Sequence, residues 1–211
     1  MKYYPAFLDL RDSSAVVVGG GKVAERKVRS LIKTGIAVKV VSPTLTSYLE
    51  KLKGEKGIVH IRRNYRKGDL KSVFMVIAAT SSITVNKRVA TDAEYLVNVV
   101  DSPDAGNFIV PSHVNRGPMT IAISTEGASP AIARSIRVDV EKRYGREFGQ
   151  YLRFVEKIRK KAVLTISDRK RREKFLKSLA DERLFQRIRK KGLSSVSNEI
   201  LSSLDRIKKN Y

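Results

Sequence analysis

Three stretches of the 211-residue chain carry residue types and spacings that could do chemistry. The first is "AVVVGGGKVAERK", residues 15 to 27, in which Gly19, Gly21 and Ala24 spell G-x-G-x-x-A. In such a turn the first glycine permits a tight passage from strand to helix. The second, with no side chain, lets a pyrophosphate reach the backbone, and a small third residue lets helix and strand pack closely. The helix that follows points unpaired N–H groups and a partial positive charge at the same place. Because the pattern follows a strand and opens a helix, it implies dinucleotide binding rather than a plain structural turn. The second stretch is "LVNVVDSPDAG", where Asp101 follows an apolar strand. Ligands of parallel sheets sit outside the carboxyl ends of the strands. A carboxylate there can serve as a general base or a metal ligand, or it can simply cap a turn. Asn98, three residues earlier, can hydrogen-bond a substrate or cofactor, or be a satisfied buried amide. The third is "STEGASPAIAR" (124–134), where Ser129-Pro130 reads as a helix N-cap followed by proline at the first helical position. That helix end can also hold an anionic group. His60 reads as structural within a strand, and His113 lies in the loop after "FIVPS".

The elements that must position these residues alternate. Strands are expected at 14–20, 36–43, 58–63, 73–80 and 96–100, with helices at 22–35, 46–53 and 83–95. This order predicts a parallel, doubly wound sheet. Gly35 suits a helix C-terminal cap. After Asp101 the alternation breaks. "NFIVPS" (107–112) and "PMTIAIS" (118–124) read as two strands with no helix between them, a smaller sheet suited to dimerisation. From Ser129 onward the chain reads mostly helical. The second strand ends in Ser42, Pro43 and Thr44, where an acidic residue would ordinarily bind the adenine ribose. A hydroxyl or backbone group can still bind it, and the local residues leave NAD against NADP open.

Composition narrows the class. Apolar residues make up 42% of the chain, enough for a core. No run is long enough for a membrane span, and the first residues lack the pattern of a signal peptide. With no cysteine and two histidines, disulfides, thiolate sites and a metal cluster are not expected. A cytoplasmic protein is the simplest expectation. The net charge is +22, with 43 Lys and Arg against 21 Asp and Glu. Residues 1–125 carry 19 and 10 of these, and residues 126–211 carry 24 and 11. Such a surface attracts anions, or is simply solvated.

"YYPAFLDLRDSSAVVVGGGKVAERKVRSLIKTGIAVKVVSP", "VIAATSSITVN", "VNVVDSPDAGNFIVPS" and "GPMTIAISTEGASPAIARSIR" together resemble the precorrin-2 dehydrogenase/sirohydrochlorin ferrochelatase family, the siroheme synthase N-terminal module. The resemblance runs through about residues 3–140 and is weaker in the helical tail. It implies an NAD-binding Rossmann domain (1–106), a central dimerisation region (107–145) and a C-terminal helical domain (146–211). It also implies oxidation of precorrin-2 to sirohydrochlorin with NAD, and in some members Fe²⁺ insertion giving siroheme. The family's catalytic aspartate falls on Asp101. Lys22, Val23, Pro43 and Thr44 would lie along the NAD beside Gly19, Gly21 and Ser42, with Ala79 and Thr80 flanking it. Asn98 and Thr125 would face the tetrapyrrole. His113 and Ser129, from their own positions rather than from the resemblance, are candidate further substrate contacts, the alternatives being a surface histidine and a plain helix N-cap. Thr125 stands where fused relatives have serine. The resemblance further implies a homodimer, no membrane partner, and a supply of precorrin-2 from another protein, since no methyltransferase portion follows. A reading of another class is a dinucleotide-sensing, nucleic-acid-binding regulator that uses "RKRREK" (169–174) for phosphate contacts. No helix-turn-helix signature supports it, and charge runs are commonly solvated helix faces.

Overall fold

The computed structural model describes residues 2–209. Contacts divide the chain into two compact units, residues 1–110 and 111–211.

The first unit is built on five parallel strands in the order β3-β2-β1-β4-β5. These are β1 (Ser14–Val18), β2 (Ala37–Val41), β3 (Val59–Ile61), β4 (Met75–Ala78) and β5 (Leu96–Val99). β1 is central, and its "AVVV" is apolar throughout because both faces are covered. Ala15 and Val17 pack with Ala24, Val28 and Leu31 of α1 (Lys22–Leu31) and Leu49 of α2 (Ser47–Gly54). Val16 and Val18 pack on the other face with Val89 of α3 (Ile83–Asp92), Leu70 and Val73. Each fully buried valine stabilises the sheet by about 1.5 kcal/mol or more. α1 passes into a short 3₁₀ turn (Ile32–Thr34) that ends at Gly35, in the left-handed conformation with φ 83°. Between β3 and β4 the crossover carries only a 3₁₀ turn, Lys67–Leu70.

The strand expected at 107–112 does not form. Asn107 and Phe108 instead give their backbone N–H groups to the Val97 carbonyl, and Pro111 has no N–H to offer a ladder. The first strand of the small sheet, β6, runs Ser112–Arg116 and pairs antiparallel with β7, Met119–Ile123. The Arg116↔Met119 register closes a two-residue turn of Gly117, at φ 64°, and Pro118. A glycine with positive φ in first place is what such hairpin turns require. His113 therefore lies within β6, opposite Ala122, and not in a loop.

The rest of the second unit is helical: α4 (Pro130–Arg143), α5 (Arg146–Thr165), α6 (Arg169–Ser178), α7 (Glu182–Lys191) and α8 (Ser194–Lys209). Ile188 of α7 is fully buried with Tyr151, Ile158, Phe175, Ile200 and Leu204. The Tyr151 hydroxyl donates to the Leu179 carbonyl at 2.6 Å, and burial pushes this phenol up to about 12. Asp168 and Asp181 cap α6 and α7. The "RKRREK" run forms the exposed start of α6, where Arg169 pairs with Glu173 at 2.9 Å.

Two carboxylates tie loops of the first unit together. Asp69, nearly buried, takes both guanidinium nitrogens of Arg63 at 2.6 and 2.8 Å and the Arg66 N–H at 2.8 Å. The Arg63 hydrogen bonds hold its carboxyl below the usual carboxylate range, against the opposing effect of burial. Glu25 is likewise held low, first by the Thr46 hydroxyl and then by Arg29. A lowered native pKa stabilises the fold above the unfolded-state value of about 4, and that stabilisation is lost as pH falls below it. The melting temperature is therefore expected to be nearly flat from pH 7 to 5 and to fall toward pH 3. Asp69→Asn should lower it at pH 7 and flatten the acid limb. An unchanged acid limb in thermal scans of that variant would remove Asp69 from the account.

Candidate functional site

A cleft of about 420 Å³ opens at the carboxyl ends of β1, β2 and β4. It is lined by the Gly19–Gly21 turn, by Ser42, Pro43 and Thr44 after β2, by Ala79 and Thr80 after β4, and by Asn64 and Tyr65 after β3. It spans the β1/β4 junction, where the strand order reverses, the place where open α/β sheets bind ligands.

The glycine turn is wedged between two loops. A Cβ on Gly19 (φ 119°) would stand 2.3 Å from the Ala79 carbonyl oxygen. One on Gly20 would stand 2.0 Å from the Thr44 oxygen and 2.8 Å from Ser42 Oγ. One on Gly21 would meet nothing within 4 Å. The middle glycine, which the fingerprint leaves unspecified, is thus the residue that lets the β2 loop close on the turn. The Thr46 N–H reinforces that closure by donating to the Gly20 carbonyl at 3.1 Å. Gly21 is the N-cap of α1 and offers no side-chain cap, so the first N–H groups of the helix keep their hydrogen-bonding capacity for a ligand. Open space at Gly21, uncapped amides and a cleft with hydroxyl side chains such as Ser42, Thr44 and Thr80 in its lining fit a dinucleotide pyrophosphate.

The surrounding loops are held by side chains. Glu25 accepts from Arg29 at 2.8 and 3.1 Å, and the Arg29 guanidinium lies 3.4 Å from the centre of the Tyr48 ring, joining α1 to α2. After β4, the Thr80 hydroxyl donates to Asn86 Oδ1 at 2.7 Å, and Asn86 Nδ2 donates back to the Thr80 carbonyl at 3.0 Å. Ser82 caps α3 by accepting from Val85 N–H. His60 Nε2 lies 2.9 Å from the Ser42 carbonyl oxygen, which fits the structural role expected of it.

Of the residues expected at a nucleotide site, Gly19, Gly21, Ser42, Pro43, Thr44, Ala79 and Thr80 come together in the cleft. Lys22 and Val23 form the first turn of α1 and are not part of its lining. Lys22 reaches Glu25 at 3.5 Å. Gly20, Asn64, Tyr65, Ser81, Ser82 and Val85 join the lining without having been expected. Gly20 carried a signal, as the third glycine of a run. Asn64 and Tyr65 carried none, because the parallel pairing of β2 with β3 and the bond from Ser42 N–H to the Ile61 carbonyl bring them in.

Asp101 is exposed, two residues beyond Val99, which pairs with Ala78 at the end of β4. It thus shares the carboxyl edge of the sheet with the cleft. Asn98 is nearly buried on β5, opposite Ile77, and its Nδ2 donates to the Phe108 carbonyl at 3.1 Å. Its Oδ1 is buried with no donor. His113, Thr125 and Ser129 belong to the second unit. There the Thr125 hydroxyl accepts from the Ser129 N–H at 3.2 Å and donates to the Ser129 carbonyl at 3.1 Å, while Ser129 Oγ caps α4. Among the described residues no group of three or more acidic or histidine side chains is placed to hold a metal ion.

The strand order, the glycine turn and the switch-point cleft define a Rossmann-type dinucleotide-binding protein. Residues 6–112 match the family model described as "Putative NAD(P)-binding", and residues 116–143 match "Sirohaem biosynthesis protein central". The chain belongs to the precorrin-2 dehydrogenase family, the N-terminal module of the siroheme synthases. It is 38% identical over 184 residues to the siroheme synthase of Thioalkalivibrio sulfidiphilus, covering 86% of this chain and 38% of that one. It is 38% identical over 192 residues to that of Nitrosococcus oceani, covering 88% and 41%. The chain thus spans about two fifths of the length of these relatives. The solved structure of "SirC, precorrin-2 dehydrogenase" superposes with a TM-score of 0.83 at 29% identity, covering 97% of this chain and all of that one.

Proposed function

We propose that this chain is an NAD-dependent precorrin-2 dehydrogenase, oxidising precorrin-2 to sirohydrochlorin in siroheme biosynthesis. One observation carries the reading: a dinucleotide cleft and an exposed carboxylate, Asp101, share the carboxyl edge of one sheet. The oxidation removes a hydride and a proton from the macrocycle, and NAD, when bound, accepts the hydride.

The residues of the chain divide the remaining work. Gly19 and Gly20 shape the turn, and Gly21 with the α1 N-terminus holds the pyrophosphate. Ser42, Pro43 and Thr44 lie along the adenosine end. Ala79 and Thr80, fixed by Asn86, flank the cofactor where the substrate must meet it. Asp101 takes the proton as general base. Asn98 offers a buried acceptor that lacks a donor; satisfying such a group recovers about 1–3 kcal/mol, which an N–H of the substrate or cofactor would do. Thr125, with His113 and Ser129, is assigned to the carboxylate-bearing rim of the tetrapyrrole. The substrate's eight carboxylates suit a chain of net charge +22. Fe²⁺ insertion into sirohydrochlorin is a second step that the same Asp101 can assist, by accepting protons lost from the pyrrole nitrogens.

A homodimer formed through the central region (107–145), distinct from the helical domain (146–211), is part of the reading. Ile132 and Ile136 of α4 are 56% and 43% exposed, one helical turn apart, and both edges of the β6–β7 sheet are unpaired among the described strands. Sedimentation should give a dimer, and Ile136→Glu should shift it to monomer; a monomeric wild type would refute the assembly. No described helix is long and apolar enough to cross a membrane, and the enzyme is proposed to work in the cytoplasm. No observation favours the nucleic-acid-binding regulator.

The test is direct. Precorrin-2 generated anaerobically is added to the protein with NAD⁺, and NADH and the tetrapyrrole spectrum are followed together. A second arm starts from sirohydrochlorin and Fe²⁺. Coupled formation of NADH and sirohydrochlorin is the expected result. Its absence with verified substrate and folded protein would overturn the dehydrogenase reading, while the second arm decides chelatase activity separately.

A further inference from the structure

β5 is an edge strand, and no sixth strand covers it among the described residues. A single residue takes that place. Val97 gives its N–H to Asn107 Oδ1 at 2.8 Å and receives the Asn107 N–H on its carbonyl at 3.0 Å. Asn107 Nδ2 then donates to the Tyr95 carbonyl at 2.6 Å. The side-chain amide thus stands in for a peptide group of the missing strand. Asn98 adds a second tie through the Phe108 carbonyl. Gly106 makes the approach feasible, since a Cβ there would lie 2.6 Å from the Val97 oxygen.

The chain between the end of β5 and these ties, residues 100–106, is a closed loop that carries Asp101. Within it Ser102 N–H bonds the Val99 carbonyl, and a 3₁₀ turn (Pro103–Ala105) stiffens the return. Among the described residues the Asp101 carboxylate has no hydrogen-bond or ion-pair partner, so its place is set through the backbone: on one side by the Val100 N–H, which donates to the Ala78 carbonyl at 3.0 Å, and on the other by the return of the loop that Asn107 closes. We propose that Asn107 is a positioning residue for Asp101, a clasp that closes the loop on the sheet edge and fixes where the carboxylate stands relative to the cofactor cleft. The inference rests on the reading of Asp101 as the proton acceptor. Opening the clasp leaves the cleft lining untouched but frees the carboxylate to wander, and a misplacement of about 1 Å can cost up to about 100-fold in rate.

The experiment is a double-mutant cycle on the full chain with precorrin-2 and NAD⁺. Asn107→Ala is expected to lower kcat about 10- to 100-fold while the Kd for NAD⁺ stays within about threefold. In an Asp101→Asn background the same substitution should leave the residual rate within about twofold, because a clasp acting through Asp101 has nothing left to position. Independent, multiplicative losses would overturn the proposal, as would a normal kcat in Asn107→Ala. Asn107→Ser, which keeps a short hydroxyl, guards against a folding failure; if neither variant folds, Asn107 is a stability residue and the proposal falls. A normal rate in Asp101→Asn would overturn the base assignment itself, and the clasp's catalytic role with it.

Discussion

Asp101→Asn is expected to lower precorrin-2 oxidation at least about 100-fold, the low end for loss of a general base, with NAD⁺ affinity within about twofold of the wild type. The substitution is nearly isosteric, so the loop at residues 100–106 keeps its ties to β5. The carboxamide cannot take a proton as a carboxylate does. Because Asp101 is not part of the cleft lining, the glycine turn and the loops after β2 and β4 are unaffected. The effect should therefore fall on kcat. Single-turnover kinetics at saturating NAD⁺, alongside a calorimetric Kd, separate the two. Near-normal turnover would sink the base assignment. If Fe²⁺ insertion also occurs and falls in parallel, one carboxylate serves both steps; if it persists, the two steps use different groups.

Gly21→Val should abolish measurable NAD⁺ binding, a loss of at least about 100-fold, while the melting temperature moves little. A side chain at Gly21 meets nothing of the protein within 4 Å, so the folded state accepts it. The space it fills is the space a pyrophosphate needs over the first turn of α1. Gly20→Ala should behave in the opposite order. Its methyl would collide with the Thr44 carbonyl at 2.0 Å, so stability falls first and binding follows. Calorimetry and thermal unfolding on the two variants give the comparison. Unchanged NAD⁺ affinity in Gly21→Val would refute the role assigned to the turn.

The contrast between these two glycines shows how far local reasoning reaches. The fingerprint singled out Gly19, Gly21 and Ala24, and each stands where the turn chemistry requires. It was silent on Gly20, whose constraint comes from Thr44, 24 residues further along. Asp101 could be placed at the edge of the sheet because strand order and residue order coincide there. Asn98 was open between a buried amide and a ligand contact; it is buried, its Nδ2 is tied to Phe108, and its Oδ1 has no donor.

What the sequence by itself determined is the alternation of apolar strands with amphipathic helices, the glycine turn between β1 and α1, and the helical second half. These are local properties, written in runs of 3 to 20 residues and legible through period and capping chemistry. Only the tertiary structure decided the rest. "NFIVPS" reads as a strand by composition. It is not one, because Asn107 and Phe108 bond to Val97 first, and the Gly117-Pro118 turn sets the hairpin from Ser112 onward. Asn64 and Tyr65 enter the cleft through the register of β2 with β3, and Asn107 closes the loop at residues 100–106 through Tyr95 and Val97. In each case the deciding hydrogen bonds join residues separated by a loop or a strand. Their energy depends on the folded arrangement, and no window along the chain contains it.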